Sequence, residues 1–231
     1  MDTKKGKLIV IEGTDGSGKG TQIKLLMERL LQEGHRAATT SFPQYGKKSS
    51  GPIEEYLNGK YGKPDAVSPY VASLFYAIDR FDFSQEIGQR LRENYLVLLD
   101  RYVDSNAGHQ GGKIKNPAER EKFIKWLYHT EYKIFGIPKP DLTIILHVPA
   151  QIGQKLTLRK QQRLYLARGK KQDAHEADLE HLKNAENSYL WLSKKFPQDH
   201  RVIECVKKGK LLAPKEIHSK LWGILKECGI I

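Results

Sequence analysis

The chain has 231 residues, 39% hydrophobic and 29% charged, a size and balance that suit one soluble α/β domain rather than a disordered or fibrous chain. Its longest apolar runs, such as Leu8–Ile11 and Leu142–Leu146, have the length of a buried strand and fall far short of the roughly 20 residues that cross a bilayer. The formal charge of +12 fits a nucleic-acid partner or a pocket that holds two polyanions, and the basic residues are spread along the chain rather than gathered in one arm.

In chain order, Lys7–Glu12 reads as a buried strand, preceded by too little sequence for a secretory leader. Gly13 to Gly20 is a glycine-rich turn. Thr21–Gly34 reads as a helix with Ile23, Leu26, Met27, Leu30 and Leu31 on one face. Ala37–Ser41 is a short strand ended by Phe42-Pro43, and Ser68–Glu93 a long helix opened by Ser-Pro. Tyr95–Leu99 is a strand closed by Asp100, Pro117–Phe135 a helix, Leu142–His147 a strand and Gln151–Leu166 a helix. A long helix at Asp173–Lys195, a strand at Arg201–Glu204 and a helix at Pro214–Glu227 complete the chain. Alternating strands and helices predict a five-stranded parallel sheet covered on both faces, in a single domain spanning residues 1–231. Cys205 and Cys228 match neither a disulfide framework nor a metal site, which points to the reducing cytoplasm.

The turn Gly13-Thr14-Asp15-Gly16-Ser17-Gly18-Lys19-Gly20-Thr21 has the G-x-x-x-x-G-K pattern, between a strand and an amphipathic helix. Its glycines let successive backbone N–H groups face phosphate oxygens, the helix start adds positive potential, and Lys19 reaches the β- and γ-phosphates of a nucleotide such as ATP. Gly20 stands where a Mg²⁺-touching hydroxyl is usual, so the metal is expected to be held through water and through carboxylates elsewhere.

The acceptor must be read from other segments. Phe75 and Arg80 lie on the long helix, about 140° apart, and offer a ring to stack on a base and a guanidinium to donate to it. Asp100 ends a parallel strand, a position suited to a metal-site carboxylate, and Arg101 beside it suits a phosphate clamp. The basic run of Arg159, Lys160, Arg163, Arg168, Lys170 and Lys171 reads as a lid over ATP at about 160–175.

These segments, together with Phe42-Pro43-Gln44-Tyr45-Gly46, Leu99 to Gln110 and Pro138-Lys139-Pro140-Asp141, resemble thymidylate kinases over nearly the whole chain. The resemblance implies a P-loop NTPase fold and the reaction of ATP and dTMP to ADP and dTDP with Mg²⁺, in a homodimer. It implies that Asp15 reads the 3′-hydroxyl near the metal, that Phe75 stacks on thymine and Arg80 donates to O4, and that Arg101 bridges the two phosphates. Ser105 and Asn106 fall around the base, Phe42, Tyr45 and Glu176 near the acceptor and magnesium, and His109 where a larger ring crowds out a 2′-hydroxyl. Some relatives carry a P-loop arginine at the place of Gly16, so the transition-state cation is expected from Arg163 or Arg168. A kinase of dUMP or of a purine monophosphate is the nearest alternative. A nucleic-acid-dependent ATPase has no basic face or water-activating residue to support it, and the intact Lys19, Asp100 and Arg101 argue against an idle regulator.

Overall fold

The computed structural model describes residues 6–62, 66–158 and 178–231. Strand β1 (Lys7–Glu12) leads through the glycine turn into helix α1 (Lys19–Gln32), followed by β2 (Ala37–Ser41), α2 (Gly51–Leu57) and α3 (Pro69–Arg92). Then come β3 (Leu96–Asp100), α4 (Val103–His109), α5 (Pro117–His129), a π-helical turn (Thr130–Ile134), β4 (Leu142–His147) and α6 (Ala150–Leu158). The last elements are α7 (Leu179–Lys195), β5 (His200–Glu204), a short hairpin of β6 (Val206–Lys207) and β7 (Lys210–Leu211), and α8 (Pro214–Glu227).

The five long strands form one parallel sheet in the order β2-β3-β1-β4-β5. Alternation along β1 shows why both faces are covered. Ile9 and Ile11 join a core with Leu26 and Leu30 of α1 and Leu221 and Leu225 of α8. Leu8 and Val10 join another with Phe123, Ile124 and Leu127 of α5 and Tyr189 of α7. Each side chain so buried contributes about 1.5–3 kcal/mol.

The helix starts follow their caps. Ser68 accepts from the Val71 amide, Asn116 from Ala118 and Glu119, and Asp178 from Glu180 and His181, with Pro69 and Pro117 opening α3 and α5. Helix α1 differs: its cap is Gly18, at φ 89° and with no side-chain cap, which leaves its first amides for an anion.

Four elements depart from the periodicity reading. Helices α2 and α4, of seven residues each, and the β6–β7 hairpin are too short for a period to emerge. The predicted helix Pro117–Phe135 relaxes at Thr130 into the π-helical turn, where Glu131 is fully buried against Arg80. Of the helices predicted over Gln151–Leu166 and Asp173–Lys195, the described parts are helical, and the remainder lies outside the described residues.

Beside this turn lies a buried polar knot. Asp104 accepts from Tyr128 Oη at 2.6 Å and pairs with His200 Nε2 at 2.9 Å. His200 Nδ1 faces the Phe196 carbonyl at 3.0 Å, so both imidazole nitrogens meet acceptors and the ring is held as the cation. Burial opposes that charge, but the hydrogen bond and charge of Asp104 raise the His200 pKa above its usual 6.5. A raised folded-state value stabilises fully below the unfolded pKa and is lost as pH rises through the folded one. His200→Gln is therefore expected to cost on the order of 3 kcal/mol at pH 6 and less at pH 9, measured by urea unfolding of both proteins across that range.

Candidate active site

The site lies at the C-terminal edge of the sheet, where β1 and β3 run side by side and their connections diverge. The Arg101 amide donates to the Ile11 carbonyl and the Phe42 amide to the Asp100 carbonyl, so the ends of β1, β2 and β3 hold one another in register.

In the glycine turn, Gly13, Gly16 and Gly18 all have positive φ. Lys19 folds back so that Nζ donates to the carbonyls of Gly13 and Thr14, each at 3.0 Å. Burial, then the neighbouring Arg101, lower its pKa to about 8. Phosphate oxygens arriving here would favour the charged form. A Cβ on Gly16 would stand 2.1 Å from the Gly153 carbonyl of α6, and one on Gly153 2.6 Å from the Asp15 carbonyl. Position 16 thus has no room for the arginine that some relatives carry. Gly153, missed in the sequence, is the seat of the loop. Ser17 is buried, and Gly20 and Thr21 lie exposed at the start of α1.

Arg101 has φ 70°, an uncommon conformation for a non-glycine residue. Its Nη2 donates to Asp15 at 2.8 Å, and its Nη1 lies 3.3 Å from Ser105 Oγ and 3.2 Å from His109 Nε2. Burial works against the charge, yet Asp15 and the carboxylates behind it hold the guanidinium charged well above its ordinary range. Beneath it sits Glu12, fully buried, which accepts from the Tyr102 amide at 2.8 Å, Ser105 Oγ at 2.7 Å and Tyr189 Oη at 2.9 Å. Nothing in the sequence marked Glu12 except its place as the lone acid ending an apolar strand. Ser105 lines the neighbouring cleft, and its hydroxyl donates to Glu12 while Arg101 Nη1 lies 3.3 Å from the same oxygen.

From Arg101 a cleft runs past Phe42, Tyr45, Asn106 and His109 to Tyr76 and Arg80. Phe75, predicted to stack on the base, is not among the residues that line it. Its ring packs instead on Tyr56 and Tyr61, with centroids 6.2 and 5.5 Å away. Tyr76 lines the cleft instead: four residues before Arg80, it shares that residue's helix face, whereas five residues turn the ring away. Arg80 is buried and held by Glu131, Nε at 2.7 Å and Nη2 on the other oxygen, while Nη1 donates to the Tyr102 carbonyl at 3.2 Å. That leaves one N–H on each terminal nitrogen. Asn106, which lines the cleft, donates from Nδ2 to the Ser73 carbonyl at 3.1 Å, which leaves Oδ1 as an acceptor. Asp79, also missed, accepts from the Gln44 amide at 2.8 Å and Ser49 Oγ at 2.7 Å and so holds the Phe42–Tyr45 segment over the cleft. His109 Nδ1 lies 3.3 Å from His181 Nε2, on a ring stacked at 5.5 Å.

Asp100 and Asp15 border the phosphate-facing side with Lys19 and Gly20. The Asp100 carboxylate accepts no hydrogen bond from the described residues, and a Cβ on Gly20 would lie 3.7 Å from its Oδ2 with nothing nearer. An open carboxylate with space before it fits a hydrated divalent cation. Arg163, Arg168 and Glu176 lie outside the described residues.

Two anion sites facing one another across Arg101 suit transfer of a phosphoryl group between nucleotides, and the fold is that of the P-loop nucleoside monophosphate kinases. The thymidylate kinase family profile matches residues 11–208. The Mycobacterium tuberculosis thymidylate kinase is 34% identical over 174 residues, 75% of this chain and 79% of that one. The Pelotomaculum thermopropionicum thymidylate kinase is 33% identical over 210 residues, covering 90% and 89%. The solved thymidylate kinase of Candida albicans superposes with a TM-score of 0.72 at 26% identity, over 96% of this chain and 92% of that one. The chain belongs to the thymidylate kinase family, and it is a nucleoside monophosphate kinase.

The exchange of Tyr76 for Phe75 can be tested by truncation. Tyr76→Ala is expected to raise KM for the acceptor by about tenfold or more, from loss of roughly 1–3 kcal/mol of stacking. Phe75→Ala is expected to lower the unfolding free energy by about 2–4 kcal/mol and leave KM nearly unchanged. Steady-state kinetics and denaturation of the two variants separate the roles.

Proposed function

We propose that this chain transfers the γ-phosphoryl group of ATP to dTMP, giving dTDP. The observation that carries the base assignment is the polarity of two neighbouring groups. Arg80 presents donors, and Asn106, with its amide nitrogen committed to Ser73, presents an acceptor. Thymine offers the complement, an O4 acceptor beside an N3–H donor, an order shared by uracil and by the O6 and N1–H of guanine; cytosine offers the reverse, an amino group beside a bare N3. Tyr76 supplies the stacking face.

Phosphoryl transfer asks the protein for placement and for charge rather than for covalent chemistry. The amides of Gly13–Gly18 and the start of α1 bind the donor phosphates, with Lys19 released from the Gly13 and Thr14 carbonyls to meet them. Arg101, braced by Asp15, Ser105 and His109, keeps N–H groups for the oxygens passing between donor and acceptor. The attacking phosphate oxygen is already anionic, so no general base is needed. Asp100, with Asp15 nearby, would hold Mg²⁺, largely through water, and the ion would neutralise charge on the phosphates. A transition-state arginine from Arg163 or Arg168 remains part of the proposal, because Gly16 cannot be replaced by one. The two unpaired cysteines are compatible with work in the cytoplasm.

With ATP and magnesium, dTMP is expected to be turned over best, dUMP less well, and dCMP and AMP poorly. Lys19→Ala is expected to lower turnover about 100-fold or more with the fold retained. A coupled ADP-release assay over this panel checks both. Faster turnover of dCMP or AMP than of dTMP would overturn the acceptor assignment.

A homodimer is proposed from α3. Val71, Leu74, Ile78 and Phe81 are all exposed, at intervals of three and four residues, and so form one apolar ridge on a helix whose other face is buried. The ridge pairs naturally with its own copy about a two-fold axis. Phe81→Glu should then shift the sedimenting species from dimer to monomer.

A further inference from the structure

At the N-terminal ends of β4 and β5, remote from the P-loop edge, the molecule carries a cleft for which phosphoryl transfer has no use. Its volume is about 660 Å³, which lies within the range of small-molecule sites. Rings border it: Tyr128 lies 5.6 Å from Tyr132 and 5.9 Å from Phe196, and Phe196 lies 6.1 Å from His200, all tilted rather than face to face. Ile137 and Pro140 complete an apolar slot.

The charges around this slot nearly cancel. Asp104 is matched by His200 at 2.9 Å, and Asp199 by Lys139 at 2.9 Å. Lys133 is left over, exposed and in no ion pair among the described residues. The Tyr132 hydroxyl also has no hydrogen-bond partner among the described residues, although burial pushes its pKa well up. One unspent ammonium and one unspent hydroxyl at an aromatic slot suit a flat ring that brings an acceptor anion. A cationic occupant would meet Lys133 unopposed, since both carboxylates are already paired.

Two junctions connect this cleft to the acceptor site. In the π-helical turn, Glu131 faces Arg80 while the next residues, Tyr132 and Lys133, line the cleft. In α4, Asp104 lines the cleft while Ser105 and Asn106 line the acceptor site. π-Turns occur often at functional positions, and this one places adjacent residues in two sites. We propose that this cleft is a second ligand site, for a planar aromatic ring bearing one anionic group, and that its occupant alters acceptor binding through the Glu131–Arg80 and Asp104–Ser105 junctions. Only the second half of this rests on the kinase reading.

The probe is 8-anilinonaphthalene-1-sulfonate, a fluorescent aromatic monoanion, titrated into the full chain with dTMP and ADP saturating so that the transfer site is filled. A saturable rise in fluorescence is expected. Lys133→Glu, at an exposed position that leaves folding intact, and Tyr132→Leu are each expected to weaken it about tenfold or more. Leu211→Glu, on the exposed β7 strand, is expected to leave it unchanged. Equal affinity in the parent and in Lys133→Glu would overturn the site, and circular dichroism of each variant excludes unfolding as the cause of a loss. In kinetics, the dye is expected to move KM for dTMP in the parent by about fivefold or more, the low end of measured site-to-site couplings, and to leave Lys133→Glu unmoved. Dye binding with no change in KM would overturn the coupling. Absence of any dTMP turnover would count against the kinase reading instead, and the fluorescence titration would still decide the site.

Discussion

A carboxylate buried at the end of the first strand organises the site. Glu12 has no access to solvent, and a buried charge without partners costs several kcal/mol. Its three donors come from two parts of the chain: the Tyr102 amide and the Ser105 hydroxyl at the start of α4, and the Tyr189 hydroxyl on α7. Satisfying Glu12 therefore docks α4 and α7 against the end of β1, where the phosphate-binding turn begins. The same contacts place Ser105 3.3 Å from Arg101, whose own backbone is left-handed at φ 70°. Burial raises the Glu12 pKa, followed by the nearby Asp104 charge, and Arg101 above it works in the opposite direction. The clamp and its foundation are thus electrostatically interdependent.

The far end of the cleft repeats this logic with the signs exchanged. Arg80 is a buried cation, and its partner Glu131 comes from a turn 51 residues later in the chain. The fork–fork contact fixes the guanidinium plane, so its remaining N–H groups have a set direction before any base arrives. Asn106 is oriented in the same way by the Ser73 carbonyl. Preorganised polar groups of this kind reject a base of the wrong donor and acceptor order, because each would be left buried and unpaired.

The donor side depends on closeness of backbone instead of on charge. Gly16 and Gly153 pack so tightly that neither tolerates a Cβ, which seats the P-loop on α6. Excluding a side chain from position 16 is a consequence of this seat.

Local pattern alone was enough for the sheet, for the long helices as far as they are described, and for the glycine turn with Asp100 and Arg101 at the end of the neighbouring strand. Strand and helix periods and turn chemistry are properties of consecutive residues, and a P-loop is read from nine of them. Family likeness extended this to the identity of the acceptor. Tertiary structure decided the rest. Whether Phe75 or Tyr76 faces the cleft depends on how α3 is rotated against the sheet, and that rotation is set by Arg80 reaching Glu131, a contact invisible in either segment alone. The Ser105 hydroxyl donates to Glu12 across 93 residues, a contact no local pattern reveals. Glu12, Asp79 and Gly153 gave no local warning, because each acts through a partner distant in the chain, and partners are brought together only by the packing of the whole domain.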